Sequence, residues 1–401
     1  MSVNLRYWLW IQRALGEGFC ISKLIDAFGS ADGFYNASIL DWKISGVLTE
    51  KQINSAGNTK LEEVDEIIYS CEQNGWQIID YDDARYPERL RQIYNPPAVL
   101  YVDGTLPDID RYVTIGIVGT RRASEYAVKV THIMSRGITE AGAIVVSGGA
   151  LGVDTYAHRG AITAGGKTVA VLGCGLGSNY LQSNRELRDL IRMNGALVTE
   201  YPPFTSASKT TFPMRNRLIS GLSLGVLVVE AGVKSGSLIT ARFALEQNRD
   251  VYAVPASVLS TDFAGSNRLI DEGATVVTKP EQLLYSYESM FDTVDLSKIR
   301  SIDELMYDES DKSVNVEEDK DKYSFEKLEA GRRRRAERQE AYSALTGDLK
   351  KVCDSLSESY EHIDVIIERS GLPNAKVLAS LTQLEILGVC ESASGKRYKL
   401  S

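Results

Sequence analysis

The sequence predicts an α/β fold built on a mostly parallel sheet, with a small N-terminal helical domain and a C-terminal winged-helix-like domain. Three observations carry this. Short apolar runs without polar alternation recur at 115–118, 144–146, 169–172, 196–198, 226–229, 251–254 and 275–277, mostly with helix-period segments between them. Such runs suit strands buried on both faces, and their alternation with helices suits parallel strands joined by helical crossovers. Residues 1–76 carry short helical stripes broken by glycine, and a charged stretch near the other end precedes three helical patterns and a hairpin.

Taken in order, Leu5, Trp8, Leu9, Ile11 and Leu15 fit one helical face, and Ile21, Leu24, Ile25 and Phe28 another. A bundle of this size serves as a nucleic-acid clamp, a protein-docking unit or a packing appendage, and its residues do not choose among these. The main domain is expected over 77–290, entered by a strand at Gln77–Asp80, a short helix over Asp83–Ile93, the break at Pro96-Pro97 and a strand at Val99–Val102.

Ligands of parallel sheets sit beyond the carboxyl ends of the strands, and here those ends are rich in glycine and serine. The strand at 115–118 runs into Gly119-Thr120-Arg121-Arg122, where unpaired N–H groups, a helix start and planar donor forks suit a phosphate. The bland alternative is a structural turn with solvated arginines. Later strands end in Ser147-Gly148-Gly149, in Gly173-Cys174-Gly175-Leu176-Gly177, and in Glu230-Ala231-Gly232 followed by Ser235-Gly236-Ser237. Together these corners predict an anion-binding shelf. Lys209, Phe212 and Arg215 add an aromatic flanked by cations, the combination that holds single strands: a base stacks on the ring and the cations follow the backbone.

Asp154 and His158 share a helix face. An acid–base pair is one reading; a helix cap and a satisfied core histidine is the favoured one, since no nucleophile is evident nearby. Glu230 is either a general base or, preferably, an acceptor for Arg215 or Arg217 that holds the basic loop. Dinucleotide chemistry is disfavoured because the first βα turn lacks GxGxxG and the second strand ends in Ser147-Gly148 rather than an acid. A Walker A loop is missing too, so no cofactor is expected.

Residues 291–345 lose apolar periodicity and read as a charged linker carrying Arg332–Arg335. The domain expected over 346–401 has helical stripes around Leu349–Leu356, Ile363–Ile367 and Val377–Leu387, then a hairpin around Ser394-Gly395. Few basic residues face outward on its third helix beyond Lys376, so a protein contact is as fitting as duplex DNA.

At 401 residues the chain has room for two to four domains, and 43% hydrophobic with 25% charged residues is ordinary for a soluble protein. No run approaches the ~18 apolar residues of a membrane span, and no signal-peptide layout opens the chain. A cytoplasmic location without a membrane partner is the expectation. The five cysteines lie far apart without a CxxC pair, which argues against disulfides and a metal site. A net charge of −9 weighs mildly against nucleic acid, but the charge is uneven: 303–321 is acidic and Lys209–Arg217 basic.

As a set, Gly119-Thr120-Arg121, Ser147-Gly148-Gly149 with Gly152-x-Asp154 and His158, Phe212-Pro213-x-Arg215-Asn216-Arg217, Glu230-Ala231 with Ser235–Ala241, and Gly265-x-Asn267 resemble the DprA/Smf DNA-processing family. The resemblance is dense over Tyr81–Val277. It implies an extended Rossmann domain that binds single-stranded DNA, protects incoming strands, loads the RecA recombinase during natural transformation, dimerises through the Rossmann domain and has no established catalytic activity. It also implies a DNA pocket of Arg121, Ser147, Gly148, Lys209, Phe212, Arg215 and Arg217, with Arg121 and Lys209 on phosphates and Phe212 under a base. The same motifs add Gly119, Gly149, Asn216, Ser235, Gly236 and Ser237. Tyr180-Leu181-Gln182 departs from the Tyr-Pro-Lys of many relatives, so a cation expected near Gln182 is missing. The competing class is a nucleotide-hydrolysing enzyme of the lysine-decarboxylase-like Rossmann group using Glu230 and Asp154; its PGGxGTxxE arrangement is not found in this sequence.

Overall fold

A computed structural model describes residues 4–16, 19–180, 184–306, 345–357, 360–386, 389–393 and 395–400. Gln182 and most of the expected linker, including Arg332–Arg335, lie outside the described residues. The chain forms two compact units, Met1–Asn315 and Val316–Ser401.

The first unit opens with helices α1 (Leu5–Leu15), α2 (Ile21–Phe28), α3 (Ala31–Asn36), α4 (Ile39–Ser45), α5 (Glu50–Asn58) and α6 (Asp65–Gln73). Their boundaries follow from local chemistry. Gly29 and Gly46, both at positive φ, close α2 and α4. Ser38 with Asp41 and Thr49 with Gln52 form capping boxes that satisfy the first amides of α4 and α5. Trp8, Trp10, Phe34 and Trp42 are buried in a core that continues into the sheet through Val99 and Tyr101. Polar contacts fasten the two layers: Tyr101 donates to Gln12 (2.7 Å), which donates to the Glu200 carbonyl (2.7 Å), and the Trp8 indole donates to Asp82 (2.8 Å).

The remainder of this unit is β1 (Gln77–Asp80), α7 (Glu88–Arg91), β2 (Val99–Gly104), β3 (Thr114–Val118), α8 (Glu125–Glu140), β4 (Ile144–Ser147), α9 (Val153–Thr163), β5 (Thr168–Val171), α10 (Arg185–Met193), β6 (Gly195–Thr199), α11 (Thr211–Gly221), β7 (Gly225–Val228), α12 (Ser237–Glu246), β8 (Asp250–Ala253), α13 (Ala264–Asp271), β9 (Thr275–Val276) and α14 (Ile302–Met306). The helix expected over Asp83–Ile93 shrinks to α7. Pro87 stands just before α7, and a proline disfavours helical backbone in the residue before it.

One nine-stranded sheet runs β1-β2-β6-β5-β4-β3-β7-β8-β9. From β6 to β9 every pairing is parallel, while β2 lies antiparallel to β6 and β1 antiparallel to β2. The fold is therefore α/β with a mostly parallel, Rossmann-like sheet, as the apolar runs predict. Strands β3, β4, β5, β6 and β7 are buried along their whole length. Strand order reverses at β3, whose neighbours are β4 and β7, and an open crevice lies beyond the carboxyl end of a sheet at such a point.

The second unit is α15 (Gly347–Asp354), β10 (Glu361–His362), α16 (Ile363–Ser370), α17 (Asn374–Ile386), β11 (Cys390–Ala393) and β12 (Arg397–Leu400), with sheet order β10-β12-β11. Val352, Ile366, Val377, Leu381 and Leu384 fill its core. Three helices and a hairpin give the expected winged-helix arrangement. Lys376 on α17 pairs with Asp348 of α15 at 2.8 Å, which leaves that helix poorer still in outward positive charge.

Candidate functional site

The crevice at the strand reversal is a cleft of about 430 Å³ bounded by the β3–α8 turn, the start of α11 and the start of α12. Glu230, two residues past β7, positions the turn that forms its first wall. The Glu230 carbonyl accepts from the Thr120 amide (2.8 Å), and its carboxylate accepts from the Ser124 amide (2.9 Å) and hydroxyl (2.8 Å). Ser124 in turn caps α8 by accepting from the Ala127 amide. Glu230 thus holds the β3–α8 turn rather than Arg215 or Arg217, contrary to the expectation. Its position beside β3 follows from the β3–β7 pairing, which no local pattern reveals. Gly119 is there for clearance: a Cβ would lie 2.5 Å from Val153 Cγ2.

Arg121 projects from this turn, exposed, with its guanidinium carbon 4.9 Å from the centroid of the Phe212 ring. Phe212 packs against Tyr180 (5.0 Å between centroids) and over Gly173, where a Cβ would come within 2.7 Å of the ring. Lys209 is exposed just before α11 and lines the same cleft. Asn216 donates to the Gly236 carbonyl (3.3 Å) and ties α11 to the start of α12, where Ser235, Gly236 and Ser237 complete the rim. Arg121, Lys209 and Phe212 therefore share one surface, with Gly119, Arg215, Asn216, Ser235, Gly236 and Ser237 around them.

The other predicted residues lie behind that surface. Arg215 is buried and donates to the carbonyls of Gly148 (2.6 Å) and Val171. It offers charge to the cleft from below rather than a free fork. Burial pulls its pKa down, against the pull of Asp154; burial raises the Asp154 carboxyl, and Arg215 opposes that rise. Gly148 lies between the two, since a Cβ would meet Asp154 Oδ2 at 2.5 Å and Arg215 Nη1 at 2.6 Å. Arg217 is drawn to the far side of α11, into a buried two-point pair with Glu200 (2.7 and 2.6 Å). Two residues apart on a helix point about 200° apart, so Arg215 and Arg217 cannot serve one surface. Ser147 is fully buried and donates to the Ile117 carbonyl (2.6 Å), and Gly149 is buried in the loop behind it.

Asp154 is not the cap of α9, which starts from Gly152; its carboxylate accepts from the Ala150 amide (3.2 Å) and holds the preceding loop. The nearby His158 donates through Nδ1 to Thr168, whose own hydroxyl donates to the Val145 carbonyl. Burial, followed by the charge of Arg215, pushes the His158 pKa down to about 3. A neutral core histidine is the outcome. Tyr180 as a wall of the aromatic cluster is not legible in the sequence, because nothing in its spacing points to Phe212.

Residues 77–288 match the family model described as DNA recombination-mediator protein A, and residues 336–396 match the DprA winged helix domain. The chain belongs to the DprA/Smf family. Protein Smf of Synechocystis sp. is 35% identical over 82% of this chain and 81% of its own length. The DNA processing protein DprA of Bacillus subtilis is 40% identical over 54% of this chain and 73% of its own. The X-ray structure of DprA from Streptococcus pneumoniae superposes with a TM-score of 0.62 at 32% identity, covering 73% of this chain and 99% of that one. Membership in DprA/Smf places the chain among DNA-processing, recombination-mediator proteins. Among the described residues no helix is long and apolar enough to cross a membrane.

Proposed function

We propose that this protein binds single-stranded DNA in the cleft beyond β3 and β7, acting in the cytoplasm to protect incoming strands and pass them to RecA during transformation. The observation that carries this reading is the gathering of two exposed cations, Arg121 and Lys209, around the Phe212–Tyr180 aromatic pair. Cations take phosphates whatever the sequence, and an aromatic face takes any base, so a groove of this make-up favours a single strand over a duplex. Arg121 stands over the Phe212 ring, so a stacking base shares that ring with the guanidinium or displaces it. Arg215 and Asp154 give the cleft floor its charge and shape, while Ser147, Gly148 and Gly149 support it from behind.

No catalytic step is assigned. Glu230 and Asp154 are each engaged with backbone amides, as anchors of loops would be. RecA delivery and a homodimer through the Rossmann domain belong to the same reading and rest on family membership.

The test is a gel shift with single-stranded and duplex oligonucleotides. The reading requires preference for the single strand and weakened binding in Arg121→Ala and Lys209→Ala. Equal affinity in the parent and both variants removes this cleft from consideration. Sedimentation of the chain alone and pull-down with RecA test the dimer and the recombinase contact.

A further inference from the structure

Behind Tyr180 lies a cation that the cleft so described leaves unexplained. Arg188 sits in the second turn of α10, part-buried, with Nε and Nη2 closed off from solvent. Among the described residues no acceptor takes a hydrogen bond from either nitrogen, and no carboxylate pairs with the guanidinium. Its electrostatic neighbours are the Cys174 thiol and the Tyr180 phenol, and burial pulls its pKa down. Burial likewise pushes the Cys174 thiol up, so this neighbour is uncharged near pH 7. Cys174 also feels Arg215, and Tyr180 touches Phe212, so Arg188 stands one layer of side chains from the cleft.

A charge withdrawn from water without a counter-ion is a standing cost, and an anion arriving beside it recovers that cost. The buried Arg217 avoids it by pairing with Glu200. Arg188 has kept the cost. We propose that Arg188 is a further backbone-binding residue, and that a phosphodiester of the strand leaving the cleft past Tyr180 is its anion. This rests on the single-strand reading of the cleft. The α10 helix thereby joins the binding surface, which widens from the β3–β7 crevice toward β5 and β6.

The experiment compares Arg188→Met, Arg188→Lys and Arg121→Ala in the full chain, using oligo-dT titrations across a salt series together with thermal melting. Arg188→Met is expected to bind roughly tenfold more weakly. Its log–log salt slope should be shallower by about 0.7. Free of DNA, it should melt at or above the parent temperature, since an unpaired buried charge has gone. Arg188→Lys should keep the parent's salt slope. Parent-like affinity and slope in Arg188→Met beside a weakened Arg121→Ala would overturn this inference and leave the cleft standing. Parent-like binding in both would overturn the cleft itself. A lowered melting temperature in Arg188→Met, or loss of the salt slope in Arg188→Lys, would assign the guanidinium to the fold and also end the proposal.

Discussion

At the scale of single residues, three arginines within or beside the site do different work because their surroundings differ. Arg121 is exposed over Phe212 and free to meet an anion; Arg215 is buried against two carbonyls; Arg217 is paired with Glu200. Removing Arg215 leaves Asp154 buried without its cation, so Arg215→Ala is expected to cost about 3–5 kcal/mol of stability, measured by urea unfolding. Arg121→Ala should leave stability within about 0.5 kcal/mol of the parent. Equal stability losses in the two would contradict the placement. Gly148→Ala drives a methyl between Asp154 and Arg215 and should lower both stability and affinity for single strands; an unaltered melting curve would contradict that geometry. His158 makes a prediction in pH. Its folded pKa, about 3, is below the ordinary 6.5, so its contribution is present above pH 6.5 and is lost as pH falls toward 3. Over that window the parent's unfolding free energy should fall more steeply than that of His158→Leu, by up to about 1.4 kcal/mol per pH unit. Parallel pH curves would rule it out.

At the scale of elements, the cleft depends on turns being pinned. Glu230 reaches across from β7 to hold the turn that carries Arg121, so Glu230→Ala should loosen that turn and uncap α8. The expected loss is about 1–3 kcal/mol, with faster amide exchange at Thr120–Ala127 than at β5 as the local signature. Exchange rising equally everywhere would mean a global effect instead. The strands were legible in the sequence because those buried on both faces leave apolar runs, and the glycine corners followed from them. What could not be read was pairing. That β2 lies against β6, and β7 against β3, depends on contacts distant in the chain, so the partner of Glu230 was assigned wrongly. The basic run Lys209–Arg217 read as one positive surface because a charge list ignores helix phase; α11 sends Arg217 to the opposite side from the cleft.

At the scale of the whole molecule, the two units have separate cores, and the proposed interface lies within the first. A fragment ending at residue 306 should therefore fold cooperatively and bind oligo-dT as the full chain does. Loss of binding in a folded fragment would bring the winged-helix unit into the interface. The net charge of −9 is not an obstacle to this reading, because association with a strand is decided by the cations that meet phosphates and not by the sum over the chain. The central claim is that Arg121 and Lys209 grip the backbone of a lone strand, and the salt dependence of oligo-dT affinity tests it most directly. The account predicts a parent log–log slope that becomes shallower by about 0.7 in each single variant and by about 1.4 in the double. Slopes that stay the same in all three variants would contradict it.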